Sequence, residues 1–429
     1  NRPGWASGNA MTVLSKPGRP TTGGAICAYE DCDATYHTQI AKLVITYPLG
    51  NPHIYQSSVT WSPNQVYRND AVLIEKANLG ALTADGQWYY DSGAQLLYIY
   101  STNNPSSDTI EATRRNNVVL VSSNGYLTLA GLHVIKSNVN NLGLVSASYV
   151  TISNSEFDHS SGSGVSIGSG SYNVLFDGGS VHNNGSGGGD GDGIGIGNSA
   201  DASHDIAIQN MDIYANGNAT MGNNISIGIT DTGQSPYNIL IQRNIIRDAT
   251  YFCGILDSAS AATVVISHNT IVNNAYCGVQ AYNTTATTAM TVELYNNTIV
   301  GNRVYGLSGA GILGTTTITA KNNIIWNNAS GAYAEYGWDT SHAGTLTMLS
   351  DYNHVHHTNG NYAFLYGSTG MTLAGWHSTT GQDTKSITSD PLFTNAGAGD
   401  FTLQSGSPAI NAGVCISGVT PCPTNIGAK

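Results

Sequence analysis

The chain has 429 residues, 10% of them charged and 40% hydrophobic, with 51 Gly against 12 Pro. This is the composition of a folded chain long enough to bury a large core. The 15 Lys+Arg and 27 Asp+Glu leave a net charge of -12. No basic run is present to neutralise phosphates, and no apolar run reaches the ~18 residues that cross a bilayer, which argues against nucleic acid and membrane as partners.

Ser, Thr, Asn and Gly dominate, and 24 Tyr stand against 6 Phe. Such usage suits a secreted, extracellular protein with a hydrogen-bonding surface. Asn1 at the start is read as the mark of a processed product or an excised fragment. The cysteines fall in three local pairs, Cys27 with Cys32, Cys253 with Cys277 and Cys415 with Cys422. Of the roughly 15 connectivities open to six cysteines, this local one needs the least rearrangement, and it predicts three disulfides and an oxidising compartment.

Residues 1–110 are read as an N-terminal cap. Its first part lacks a period, whereas from Ser57 to Ser101 short apolar runs alternate with turns: QVYRNDAVLI, the Asp85-Gly86 turn, then QWYYDSGAQLLYIYS. That pattern predicts a small antiparallel strand unit. Its aromatics, Trp61, Trp88, Tyr89, Tyr90, Tyr98 and Tyr100, read as strand packing, with a sugar site as the alternative.

Residues 111–350 are read as a repeat. The unit is apolar-x-apolar-x-Asn-x-x-apolar, a polar turn, then Gly-apolar-x-apolar. Its second apolar position runs Leu129, Ile152, Phe176, Ile208, Ile241, Ile266, Leu294 and Ala320, at intervals of 23 to 33 residues. Two short β-rich strands per unit of this length predict an all-β parallel solenoid, whose eight rungs stacked about 4.8 Å apart form a rod of roughly 38 Å. The Asn position reads Asn154, Gly178, Asn210, Arg243, His268, Asn296 and Asn322, and is expected to be a stacked amide ladder interrupted by Arg243 and His268. Residues 351–429 are read as an irregular C-terminal cap with the last rungs.

This unit resembles the right-handed parallel β-helix proteins of the pectate-lyase-like superfamily over about residues 110–413. WYYDSGAQLLYIYSTNNP before the rungs, and DYN at Asp351, SDPLF at Ser389 and DFTLQSGSPAINAG at Asp400 after them, are similar to flanking segments of secreted bacterial members. The resemblance implies a right-handed parallel β-helix. That scaffold hosts hydrolases, lyases, epimerases and non-catalytic adhesins or tailspikes.

Aligning the second strand of each unit from Gly143, Gly164, Gly193, Asn224, Gly254, Gly278, Gly306 and Gly331 puts Ser163, Asp192, Asn223, Cys253, Cys277, Tyr305 and Ser330 in one column. Cys253 and Cys277 then meet on neighbouring rungs. The column predicts a groove. Asp190 and Asp192 lie at one end, roughly 6.6 Å apart if the backbone is extended, near the spacing of an inverting acid and base. Asp257, Tyr251 and Asn223 sit in the middle, Arg303 and Tyr305 beyond, with Tyr276, Tyr282 and Trp338 as further sugar contacts. The alternative is that both aspartates cap a Gly-rich turn.

DGIGI at Asp192 resembles the first acidic motif of polygalacturonases, a resemblance that carries over only Asp192. The following rungs offer Asn223-Asn224 and Phe252-Cys253-Gly254 where that family has paired aspartates and Gly-His-Gly. A lyase or epimerase would instead draw on Arg243, Arg247, Tyr251, His268, Arg303 and Lys321. No cofactor is required; Asp190, Asp192, Asp201 and Asp205 are a possible Ca²⁺ set. His342, Asp351, His354, His356 and His357 are read as a chance loop cluster. Asn184, Asn218, Asn224, Asn283, Asn296 and Asn328 begin glycosylation sequons that an Asn- and Thr-rich repeat produces readily. The expected function is polysaccharide cleavage by paired carboxylates. The alternatives are a structural, adhesive or glycan-binding rod, including one that self-associates, and a uronate lyase or epimerase.

Overall fold

The computed structural model describes residues 12–15, 26–27, 53–187, 191–197, 200–228, 234–258, 263–284, 289–328, 335–358, 363–420 and 422–428. Within them the repeat is a parallel β-helix of three sheets. Each rung passes through sheet one, bends into sheet two, and crosses to sheet three. The column read from the sequence is the observed register of sheet one: Leu129, Ile152, Phe176, Ile208, Ile241, Ile266, Leu294 and Ala320 are successive partners. Their side chains face inward, and each fully buried aliphatic contributes about 1.5–3 kcal/mol relative to exposure.

Sheet three pairs Leu142, Val165, Ile194, Ile225, Ile255, Val279, Leu307 and Tyr336. This register corrects the sequence alignment at two rungs. Gly143 pairs with Ser166, not Gly164, and the rung expected from Gly331 is the strand Tyr336–Asp339. Irregular loops of different length separate these strands, and the repeated Gly is a poor marker of register when the chain is Gly-rich.

The bend from sheet one to sheet two is a single left-handed residue: Asn154, Asn210, Arg243, His268, Asn296, Asn322 and Tyr352 have φ between 46° and 60°. Asn tolerates that conformation. The amide ladder, however, lies one residue further on. The left-handed residue turns its side chain outward, while its successor points into the corner, where no water reaches. Asn244, Asn269, Asn297, Asn323 and Asn353 therefore stack there, each Nδ2 donating to the next Oδ1 at 3.0–3.1 Å. A second ladder at the corner after sheet two runs Asn184, Asn216, Asn224, Asn274, Asn302 and Asn328. Five of the sequon asparagines, Asn184, Asn224, Asn283, Asn296 and Asn328, are buried, which removes them as glycan acceptors.

The ends are closed. Thr12–Ser15 and Ile26–Cys27 pair antiparallel with the first rung, covering an edge that would otherwise recruit other chains. Residues 54–112 form a small unit of two sheets over Tyr55, Val66, Trp88, Leu97 and Ile99. At the other end the helix Leu373–Thr380, capped by Thr372 and Gly381, seats buried Trp376 against Phe364, ring centres 5.1 Å apart. The segment from Phe393 to Ile426 folds back over Val272, Val300 and Ile324 on sheet two. No helix among the described residues is long and apolar enough to cross a membrane.

Two of the three disulfides expected from sequence fall among the described residues, Cys253–Cys277 and Cys415–Cys422. The third expected bond, from Cys27 to Cys32, is not among them. Cys27 ends the short strand Ile26–Cys27, whereas Cys32 lies outside the described residues.

Candidate functional site

The column expected from sequence to line a groove lies at the corner where sheet two passes into sheet three. Cys253 and Cys277 form a disulfide there, Cα atoms 4.4 Å apart, and each cysteine directly follows an aromatic residue. The bond thereby holds Phe252 and Tyr276 on adjacent rungs. Tyr251, Phe252, Tyr276 and Tyr305 make a continuous band with ring centres 4.6, 6.2 and 6.2 Å apart and interplanar angles of 85°, 85° and 76°. Tyr251 and Phe252 are 40% and 37% exposed. Rings set edge to face leave alternate faces open.

Beside the band, the outer column of sheet three runs Ser166, Gly195, Ser226, Leu256, Gln280 and Ser308. These alternate with core residues, so the pleat turns them outward. None of the six is charged; Ser166, Leu256 and Gln280 are half-buried, while Gly195, Ser226 and Ser308 are buried. Tyr282 lies on the same face, two residues beyond Gln280, and Arg303 sits in the loop two residues before Tyr305.

The acidic residues are placed differently from expectation. Asp192 is 2% exposed, and its Oδ1 accepts from the Asn223 backbone N–H at 2.8 Å, from Asn223 Nδ2 at 3.2 Å and from Ser226 Oγ at 3.0 Å. It fastens two rungs together. Asn223 is equally engaged: its amide also donates to Ser226 Oγ and its carbonyl accepts from Cys253 N–H, which leaves it little to offer a sugar. Asp257 pairs in register between Ile227 and Ala281, on the core side of its strand and fully buried, so it does not face the groove. Asp190 lies outside the described residues. Trp338 belongs to the C-terminal plug, packed on Tyr366 and Trp376. Arg243 is at the corner between sheets one and two, where His268 holds the equivalent position on the next rung.

Of the expected Ca²⁺ set, Asp190 lies outside the described residues, and among the described residues Asp192, Asp201 and Asp205 do not bring three ligand atoms together. Asp205 is held by Nδ1 of His204 at 2.8 Å, a bond that keeps its carboxyl below the ordinary range. The C-terminal histidines are dispersed: His354 binds the Ser389 carbonyl and His356 that of Thr388, while His357 pairs with Glu335 and His342 with Asp339.

Two features escaped the sequence. Tyr126, Tyr149, Tyr172, His204 and Tyr237 form an aromatic ladder along sheet one, mostly face to face; their signal was an aromatic recurring at rung intervals near the strand start. On sheet two, Glu156, Asp158, Asp212, His133, His182 and Arg247 form a charged patch. Arg247 grips Asp212 with two bonds, Nε–Oδ1 3.1 Å and Nη2–Oδ2 2.8 Å.

Residues 116–299 match the family described as right handed beta helix region. The match covers under half of the chain, and the fold it describes, a right-handed parallel β-helix, is that of the rungs. Among solved structures, this β-helix is similar to pectate lyase Pel9A, at 15% identity and TM-score 0.42 over 71% of each chain. It is also similar to XylC in complex with xylose, at 9% and 0.48 over 82% of this chain and 75% of that one. A third is the catalytic unit of the thermostable GH87 alpha-1,3-glucanase from Streptomyces thermodiastaticus strain HF3-3, at 9% and 0.32 over 89% and 97%. No curated protein matches the chain. The chemistry of the β-helix is therefore read from its own side chains.

Proposed function

We propose that the chain binds a neutral polysaccharide along the outer face of sheet three, stacking sugar rings on Tyr251, Phe252, Tyr276 and Tyr305 and bonding hydroxyls with Gln280 and Tyr282. The observation that carries this reading is the edge-to-face geometry of an exposed aromatic band locked by Cys253–Cys277. A sugar stacks on the face of an aromatic ring, and the tilted band presents faces. The sheet-one ladder presents mostly edges. The uncharged outer column and the net charge of -12 favour a neutral over a uronate polymer.

Cleavage is the second reading, and it would rest on Asp190 and Asp192. The burial of Asp192 and its three accepted bonds favour a role in holding the rungs, and so favour binding over hydrolysis. The test is affinity electrophoresis and calorimetry on neutral and uronate polysaccharides, with reducing ends and unsaturated products followed in the same mixtures. Binding of a neutral polymer, weakened by Tyr276→Ala and without product, supports the proposal. Binding that Tyr276→Ala and Tyr251→Ala both leave intact overturns it. Reducing ends that disappear in Asp192→Asn would make the chain a hydrolase instead.

A further inference from the structure

The outer face of sheet two concentrates ionisable side chains on a chain that has few. Register sets His133 beside Glu156 and Ile135 beside Asp158. Glu156 and Asp158, two apart on one strand, and His133 on the neighbouring rung thus leave the same face. His133 Nε2 is 3.1 Å from Oδ1 of Asp158 and 3.9 Å from Oε2 of Glu156. One ligand atom from each of the three lies within 4.8 Å of the others. In a tetrahedral site with bonds of about 2.0–2.1 Å, ligand atoms stand about 3.3 Å apart. Closing these three on an ion therefore asks for side-chain movements of about 1 Å.

The other oxygen of each carboxylate is already held from behind. Glu156 Oε1 pairs with His182 Nε2 at 2.9 Å, and Asp158 Oδ2 with His159 Nδ1 at 2.8 Å. Outer partners of this kind orient metal-binding carboxylates. They are themselves fixed: His182 stacks on Tyr214 with centres 4.5 Å apart, Arg247 lies 3.9 Å over Tyr214, and the His159 carbonyl accepts from Tyr67 OH at 2.7 Å.

Charge points the same way. Among the described residues, the ion-pair partners of Glu156 and Asp158 are all histidines. The cations nearby are engaged elsewhere, Lys136 by Asp70 and Glu111 and Arg247 by Asp212 and Asp248. Two adjacent carboxylates thus lack a Lys or Arg, and a divalent ion supplies the missing positive charge.

We propose that His133, Glu156 and Asp158 bind one divalent transition-metal ion of the Zn²⁺ class, with a further position open to solvent. One imidazole and two carboxylates suit Zn²⁺ and its neighbours better than Ca²⁺, which takes about 6–8 oxygens. This site is separate from the glycan face on sheet three and stands or falls independently of it.

The test is equilibrium dialysis of the untagged full chain with Zn²⁺ up to about 0.1 mM, with Co²⁺ absorption as a second readout. The expected result is one ion per chain, with visible Co²⁺ bands. His133→Ala should weaken binding at least about tenfold and abolish the bands; its side chain is 52% exposed, so the fold tolerates the change. Glu156→Gln should weaken it alike and decides the matter if His133→Ala misfolds. His342→Ala, outside the cluster, should change nothing. No bound Zn²⁺, or wild-type binding in both cluster variants, overturns the proposal.

Discussion

The side-chain amide of Asn328 donates to Oε2 of Glu335 at 2.7 Å, and this bond ends an amide ladder that runs back through Asn184 to Asn141, whose Nδ2 donates to Asn184 Oδ1 at 3.2 Å. Every amide along the ladder donates toward the C-terminal end, so the last donor requires an acceptor that needs none in return. A carboxylate is that acceptor. The parallel ladder from Asn244 ends in the same manner, Asn353 Nδ2 reaching Asp383 Oδ1 at 3.3 Å. Glu335 then passes its other oxygen to Nδ1 of His357 at 2.6 Å.

The buried ends of the ladders make stability depend on pH. Burial raises Glu335 and Asp383 above the ordinary carboxylate range, despite the bonds they accept. A raised carboxyl destabilises the fold increasingly as pH rises through its unfolded and then its folded value. The bond to Glu335 raises His357, giving stability that is full below about pH 6.5 and lost as pH climbs through the elevated folded value. The signs agree, and the melting temperature should fall between about pH 6 and 8. Opposing them, Asp85 is lowered by its bond from the Thr102 N–H and Asp108 by its bond from Asn69; their stabilisation is lost below about pH 4. The optimum is therefore mildly acidic. Calorimetry across pH should show Glu335→Gln flattening the alkaline slope, and an unchanged slope would remove the pair as its cause.

Breaking a ladder in the middle should be costly. Asn274 accepts from Asn224 Nδ2 and Ala249 N–H and donates to Asn302 Oδ1, so Asn274→Ala strands several buried polar groups. Urea unfolding should register a loss of about 3 kcal/mol. A loss below ~1 kcal/mol would mean that water enters the corner.

Removing the disulfide should act on stability and binding together. Cys253 and Cys277 are 24 residues apart in sequence, a separation for which the chain-entropy model gives about 3 kcal/mol. Cys253→Ala/Cys277→Ala should lower the urea midpoint accordingly. Because Phe252 and Tyr276 then lose their anchor, glycan affinity should drop several-fold in titrations at a temperature where the variant is folded.

The two aromatic arrays should separate in binding. Tyr276→Ala removes a tilted ring and should weaken glycan binding about tenfold, equivalent to about 1.4 kcal/mol. Tyr149→Ala, in the sheet-one ladder where it stacks on Tyr126 at 4.6 Å and 8°, should leave binding unchanged. The reverse outcome would move the glycan to sheet one.

Sequence by itself determined the rungs. The column from Leu129 to Ala320 emerged in the right register because burial on one face imposes a strict apolar period, and Cys253 and Cys277 met because parallel stacking places equivalent positions side by side. Tyr251, Tyr276 and Tyr305 were legible for the same reason. Tertiary structure decided what a column faces. Asp257 occupies an apolar register position and points inward, Asp192 is spent on Asn223 and Ser226, and the ladder lies at Asn244 rather than Arg243 because one left-handed residue rotates the next side chain into the core. His133, Glu156 and Asp158 fit no sequence spacing that marks a site. They meet only because neighbouring rungs, 23 residues apart between His133 and Glu156, are brought by the ladder hydrogen bonds to about 4.8 Å.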